Sequence, residues 1–179
     1  MATVQVWIAW QCCAPMKFRF ATPDDCPLLA QLNHKLIADV GLPALMTLEK
    51  MSKRMKAWLA SDYRATLFEH GGKVVGYALY RELPEEIYLR QFFVVHSHRR
   101  RGIGLQAVRT LRSQVWPRTK RLTVEVLVTN ISALAFWRKV GYRDHCLRLE
   151  IPPLKLRRAG NQADKLPSKK TRRKGGTAL

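Results

Sequence analysis

Acidic residues are scarce in this chain. Its 13 Asp and Glu stand against 32 Lys and Arg, a formal charge of +19 over 179 residues. A surface so basic repels polycations such as polyamines and suits a polyanionic ligand. The excess is uneven: residues 153–179 carry nine Lys and Arg against Asp164 alone, which leaves +11 on residues 1–152. Cysteine is also sparse, and Cys12, Cys13, Cys26 and Cys146 show neither metal-ligand spacing nor a disulfide framework. Reduced thiols and a cytoplasmic location are the simplest expectation. Cys146 sits in no motif and reads as packing rather than as a nucleophile. No apolar run approaches the roughly 18 to 20 residues of a membrane span. No Lys or Arg precedes the apolar N-terminal stretch, as a signal peptide would want. No internal repeat is visible.

What is present suits one domain with appendages, since 47% hydrophobic residues fit a globular chain. Residues 1–15 read as an extension foreign to the fold. A start at Met16 is one account of them, and an extra edge strand or membrane-adhering tip is the other. The domain is expected over residues 16–152, closed by Pro152 and Pro153, with 153–179 a basic, disordered tail. Lys17 opens a first strand. Thr22, Pro23, Asp24 and Asp25 signal a helix start, and Leu28, Leu29, Leu32, Leu36, Ile37 and Val40 form its apolar stripe before Gly41 and Pro43. Leu48, Met51, Met55, Trp58 and Leu59 predict a second amphipathic helix after Thr47. Strands are expected at 65–69, 73–81, 87–95, 122–128 and 143–151, with His70 solvated at the hairpin turn made by Gly71 and Gly72. Helices are expected from Gly102 to the stop at Pro117 and from Asn130 to Gly141. Two strands before a β-α-β crossover give a mixed α/β sheet.

The segment Arg99, Arg100, Arg101, Gly102, Ile103, Gly104 lies where a strand gives way to a helix. Glycines let backbone N–H groups approach an anion, the helix N-terminus supplies unpaired donors, and the arginines supply formal charge. This is a phosphate cradle. Downstream, a second strand feeds a helix capped by Asn130 and stopped by Gly141. Together the two segments resemble the GNAT superfamily of acyl-CoA-dependent N-acetyltransferases. The first matches the Gln/Arg-x-x-Gly-x-Gly/Ala motif at Arg99, Gly102 and Gly104. The second matches the Asn-x-x-Ala…Gly-Phe/Tyr motif at Asn130, Ala133, Gly141 and Tyr142.

The resemblance implies a mostly antiparallel α/β sheet with a splayed parallel strand pair and flanking helices. It implies acetyl-CoA as co-substrate and direct transfer to a primary amine of a small molecule or peptide, the acceptor being walled by the first two helices. The splayed strand would offer the main-chain N–H of Val94, between Phe93 and Val95, to the thioester oxygen. Glu125 stands five residues before Asn130, where ribosomal-protein N-terminal acetyltransferases carry a base. Its plainer reading is a strand glutamate paired with an arginine. Histone-acetyltransferase relatives place their glutamate where this chain has Tyr88. Many relatives place an acidic tyrosine where this chain has Trp137, which cannot release a proton near neutral pH. Either Tyr142 or Tyr80 then serves as the acid or no dedicated acid is used, with Trp137 packed along the pantetheine arm or in the core, and Asn130 offering its amide to the ligand. Two rival readings remain. A domain that holds acyl-CoA without turnover would suit the missing tyrosine. Nucleic-acid contact rests on Ser168–Lys174, for which a solvated tail is the plainer reading. A homodimer is left open, and no membrane contact is expected.

Overall fold

The computed structural model describes residues 16–43 and 45–151. The expected N-terminal extension and basic tail lie outside the described residues. Five strands form one sheet in sequential order: β1 (Lys17–Phe20), β2 (Tyr63–His70), β3 (Lys73–Glu82), β4 (Glu86–Val94) and β5 (Arg121–Val124). Neighbours are antiparallel except β4 and β5, which run parallel and pair only from Glu86↔Arg121 to Leu89↔Val124. The helices are α1 (Cys26–Asp39), α2 (Leu48–Leu59), α3 (Ile103–Thr110), continued by a π-helical turn over Leu111–Val115, and α4 (Ile131–Lys139). The family-type mixed sheet is what the sequence led one to expect.

The periodic stripes divide between the two faces of the sheet. Leu29 and Leu32 of α1 and Met55 of α2 pack with Leu67, Tyr77, Leu79 and Phe93. Ile103, Ala107 and Val108 of α3 and Trp137 of α4 pack with Val75, Tyr80, Ile87, Leu89 and Val94 on the other face. Stops fall where glycine is needed, with Gly41 after α1 and Gly141 after α4 at positive φ. Gly71 and Gly72 are both left-handed, as a two-residue hairpin turn requires.

One irregularity positions the site. In the β3–β4 ladder Leu79 faces Gln91 and Tyr80 faces Leu89, so Arg90 is an extra residue bulged out of β4. Before the bulge, Ile87 and Leu89 face the α3–α4 core; after it, Val94 does so and Phe93 faces α1 and α2.

Two expected strands differ. The strand at 122–128 stops at Val124 because the chain turns toward α4, with the Asn130 N–H bonded to the Leu127 carbonyl at 2.9 Å. Residues 143–151 form no strand: Leu147, Leu149 and Ile151 alternate correctly but are exposed and have no ladder partner among the described residues. An alternating pattern needs a bonded neighbour to become a strand. The compact unit accordingly ends at Arg143. His70 is also not a free loop residue. It ends β2, with its Nδ1 buried and its ring 6.4 Å from that of His98.

Arg19 ties β1, β2 and the start of α1 together. Its Nη1 and Nη2 donate to Asp25 at 2.7 and 2.8 Å, and its Nε donates to Glu69 at 3.0 Å. Bonding from Arg19 pushes the Asp25 carboxyl down from 3.8 to about 2. A depressed carboxyl stabilises the fold above its unfolded value, and that contribution is lost as pH falls through about 2. Arg19→Ala should therefore move the acid-unfolding midpoint, followed by circular dichroism, to higher pH. An unmoved midpoint would show that this pair contributes nothing.

Candidate active site

Val94 lies where the sheet opens. The Val95 N–H donates to the Val75 carbonyl at 2.8 Å. Bonded and non-bonded pairs alternate in an antiparallel ladder, so the Gly76↔Val94 pair is a narrow one whose main-chain groups point away from β3. On that side β5 has already ended at Val124, opposite Leu89. The Val94 N–H thus faces a widening gap rather than a strand. Gly76 makes this approach feasible, since a Cβ there would stand 2.4 Å from the Phe93 carbonyl oxygen and 3.3 Å from the Val94 Cα. In the sequence Gly76 shows only as a glycine inside an apolar strand, which marks a close backbone approach.

The arginine- and glycine-bearing loop follows β4. A 3-10 turn at His96–His98 leads through Arg100, at φ 62°, and Gly102, at φ 81°, into α3. The first α3 N–H groups have no partner within the helix. Ile103 is buried and anchors the loop, while Arg100 and Arg101 are exposed. The two motif glycines serve different ends. Gly102 adopts a left-handed conformation with nothing within 4 Å of where its Cβ would be. Gly104 lies against α4, its missing Cβ 3.2 Å from the Phe136 ring, so its smallness serves helix packing rather than anion approach.

Arg99 departs from the expected phosphate role. Its Nε donates to the Val94 carbonyl at 2.8 Å, its Nη2 bonds Asp39 at the end of α1, and its guanidinium lies 5.2 Å from the Phe93 ring centroid. The side chain is committed to protein partners. It takes up the Val94 carbonyl and leaves the neighbouring N–H open. An open cleft of about 310 Å³ between Asp39, Val40 and residues Thr129–Ser132 adjoins this pair. A larger cleft, about 620 Å³, lies at the β3–β4 turn around Pro84, away from Val94.

Glu125 is the first residue past β5 and is exposed. It pairs with a tyrosine rather than an arginine: the Tyr88 hydroxyl donates to its Oε2 at 3.1 Å. Burial, and then the bond to this carboxylate, raise the Tyr88 phenol above its ordinary value. The sequence signal for Tyr88 was its position, since in parallel register it faces Thr123, two residues before Glu125.

The expected acids are elsewhere. Tyr142 packs at 5.0 Å from the Trp137 ring, its hydroxyl is enclosed without a partner, and burial pushes it up to about 12. So enclosed against the α3–α4 core, the hydroxyl is not presented as the expected acid. Tyr80 is likewise buried, 5.5 Å from Trp116. Trp137 is 7% exposed among Phe92, Phe136 and Tyr142, a core side chain rather than a wall for a pantetheine arm. Asn130 caps α4, its Oδ1 accepting from the Ala133 N–H and the Ser132 hydroxyl, both at 3.1 Å. Its carbonyl is thus taken and its amide nitrogen remains. Ala133 is half-buried against the α3–α4 core.

Comparison with known proteins agrees with this fold. The family model for the GNAT acetyltransferase family matches residues 40–142, more than half the chain. An acetyltransferase from Thermus thermophilus is 29% identical, over 73% of this chain and 88% of its own, with a TM-score of 0.62. A predicted acetyltransferase from Clostridium acetobutylicum, solved with acetyl-CoA, is 17% identical, over 79% and 98%, with a TM-score of 0.62. An aminoglycoside acetyltransferase from an uncultured soil metagenomic sample, solved with sisomicin, is 16% identical, over 77% and 96%, with a TM-score of 0.59. The last two show likeness of fold. No curated protein matches.

Proposed function

The chain belongs to the GNAT acetyltransferase family, acyltransferases that use acetyl-CoA, and on that premise we propose that it acetylates a primary amine of a small molecule or peptide by direct transfer in a ternary complex. The observation that carries this reading is the Val94 N–H facing the gap between β4 and β5, and the Tyr88–Glu125 pair lies on the same two segments. When bound, acetyl-CoA supplies a thioester carbonyl open to attack by an amine.

The residues present fit such a ligand. The left-handed turn at Gly102 with open space beside it, the unpaired first N–H groups of α3 and the exposed Arg100 and Arg101 suit a diphosphate. The Asn130 amide nitrogen is available as a further donor. The Val94 N–H would hold the carbonyl oxygen where negative charge develops. Glu125 would take the proton from the attacking amine, directly or through water, with Tyr88 orienting the carboxylate. No phenol is needed to protonate the departing thiolate, whose pKa is only about 8.5.

Calorimetry with acetyl-CoA, followed by thiol release in the presence of an amine panel, tests the proposal. Arg100→Ala with Arg101→Ala should raise the acetyl-CoA Kd about 10-fold at low salt and less at high salt. Dephospho-CoA should bind more weakly if these arginines also reach the 3′-phosphate. Near-native affinity in the double variant would remove them from the cradle. Binding without thiol release across the panel would instead favour a non-catalytic acyl-CoA-holding module.

A further inference from the structure

On the α1–α2 side of β4, two guanidinium groups share one indole. Arg54 of α2 and Arg90 at the bulge lie 4.9 and 4.8 Å from the centroid of Trp58. Neither forms an ion pair with a carboxylate among the described residues, whereas nearby Arg81 holds Asp62 at 3.7 Å. The bonds they do make are poor ones. Arg54 Nη1 donates to the Met46 sulfur at 3.3 Å and its buried Nε has no partner. Arg90 Nη1 reaches the Tyr63 hydroxyl only at 3.5 Å. Burial, and then repulsion from Arg90, lower the Arg54 pKa. Beneath them, the Tyr77 hydroxyl donates to Gln91 Oε1 at 3.0 Å and Gln91 Nε2 donates to Asn33 Oδ1 at 3.0 Å. Asn33 is 1% exposed, and its Nδ2 is left without a partner. The cluster therefore offers donors and positive charge with no carboxylate among the described residues to receive them. Arg54 is half-buried and Arg90 exposed, and two like charges brought to one ring repel until an anion arrives.

The same face leads to the chemistry. Arg90 stands two residues from Tyr88 on β4. Arg81 lies over both Tyr63 and Tyr88, at 5.4 and 5.5 Å, and Tyr88 holds Glu125. A small acceptor with its amine beside Glu125 would bring its far end toward Arg54 and Arg90.

We propose that Arg54 and Arg90, backed by Trp58, form a subsite for an acidic group, carboxylate or phosphate, carried by the acceptor amine. This inference rests on the acetyl-transfer reading. It separates the acceptor from the polycationic class to which sisomicin belongs.

Matched amines test it: lysine against cadaverine, and phosphoethanolamine against ethanolamine, which distinguish the two acids. The acid-bearing member of at least one pair should be acetylated with kcat/KM about 10-fold or more above its partner, chiefly through KM, the scale of a charge-assisted hydrogen bond. Arg54→Gln with Arg90→Gln should abolish that preference while acetyl-CoA affinity stays within about twofold. A binding arm needs no turnover: by calorimetry on the protein with CoA, N-acetylalanine should bind more tightly than N-ethylacetamide, and the double variant should lose the difference. Turnover without preference for the acid, or a preference that survives the double variant, overturns the subsite and leaves the transferase standing. Discrimination in binding with no amine acetylated keeps the subsite and overturns the transferase. Failure of both arms overturns both.

Discussion

Gly76→Ala is expected to cut turnover by about 10²-fold or more, the scale of losing one preorganised donor at a developing oxyanion. The added methyl would stand 2.4 Å from the Phe93 carbonyl oxygen. Both partners are backbone, so no rotamer change relieves the contact and β3 and β4 must separate. They would separate at the Gly76↔Val94 pair, the place that aims the Val94 N–H into the gap. Overpacking of this kind costs about 1–3 kcal/mol, a fall of roughly 2–12 °C in Tm for a domain of this size. Acetyl-CoA affinity should fall less than turnover, because the cradle lies beyond the strand. Calorimetry, a melting curve and thiol release on one preparation check all three. Full turnover in Gly76→Ala would show that the Val94 amide does not hold the reacting oxygen.

Glu125→Gln should lower turnover by roughly 10²-fold or more, the usual yield of a general base, with acetyl-CoA affinity nearly unchanged. The log of the residual rate should rise with pH as the amine deprotonates unaided, and the acid limb of the wild-type profile should vanish. Tyr88→Phe is the informative companion. It removes the bond at 3.1 Å but keeps the carboxylate, so the acid limb should persist at a reduced rate. If Glu125→Gln is silent, the glutamate is an ordinary surface residue partnered by a tyrosine, and the base must be sought elsewhere on this face.

The left-handed turn at Gly102 before α3, the stops at Gly41 and Gly141, the hairpin turn and both helical stripes were legible in the sequence, because each rests on local chemistry. What the sequence hid depends on partners. Val126 and Val128 continue the alternation of β5, yet Val128 is 59% exposed as the chain turns toward Asn130. Arg99 matches a phosphate-binding motif, and only the fold reveals Val94 and Asp39 as its partners. Gly104 fits the same motif for a different reason, visible once Phe136 is placed against it. Tyr142 also matches its motif, and its enclosure by Trp137 could not be read from spacing. Tyr88 and Glu125 lie far apart in the chain and meet only through the parallel register.

The bulge at Arg90 adds a residue to β4 without changing the face on which its neighbours lie. Tyr80 and Leu79 are successive in β3 and pair with Leu89 and Gln91. Deleting Arg90 would therefore restore a regular ladder and leave Phe93 and Val94 against the cores they occupy now. A deletion elsewhere in β4 would close the bulge only by turning the residues between it and Arg90 to the opposite face. The loss of one residue is thus best tolerated at Arg90, while Ile87, Leu89, Phe93 and Val94 are held by their burial.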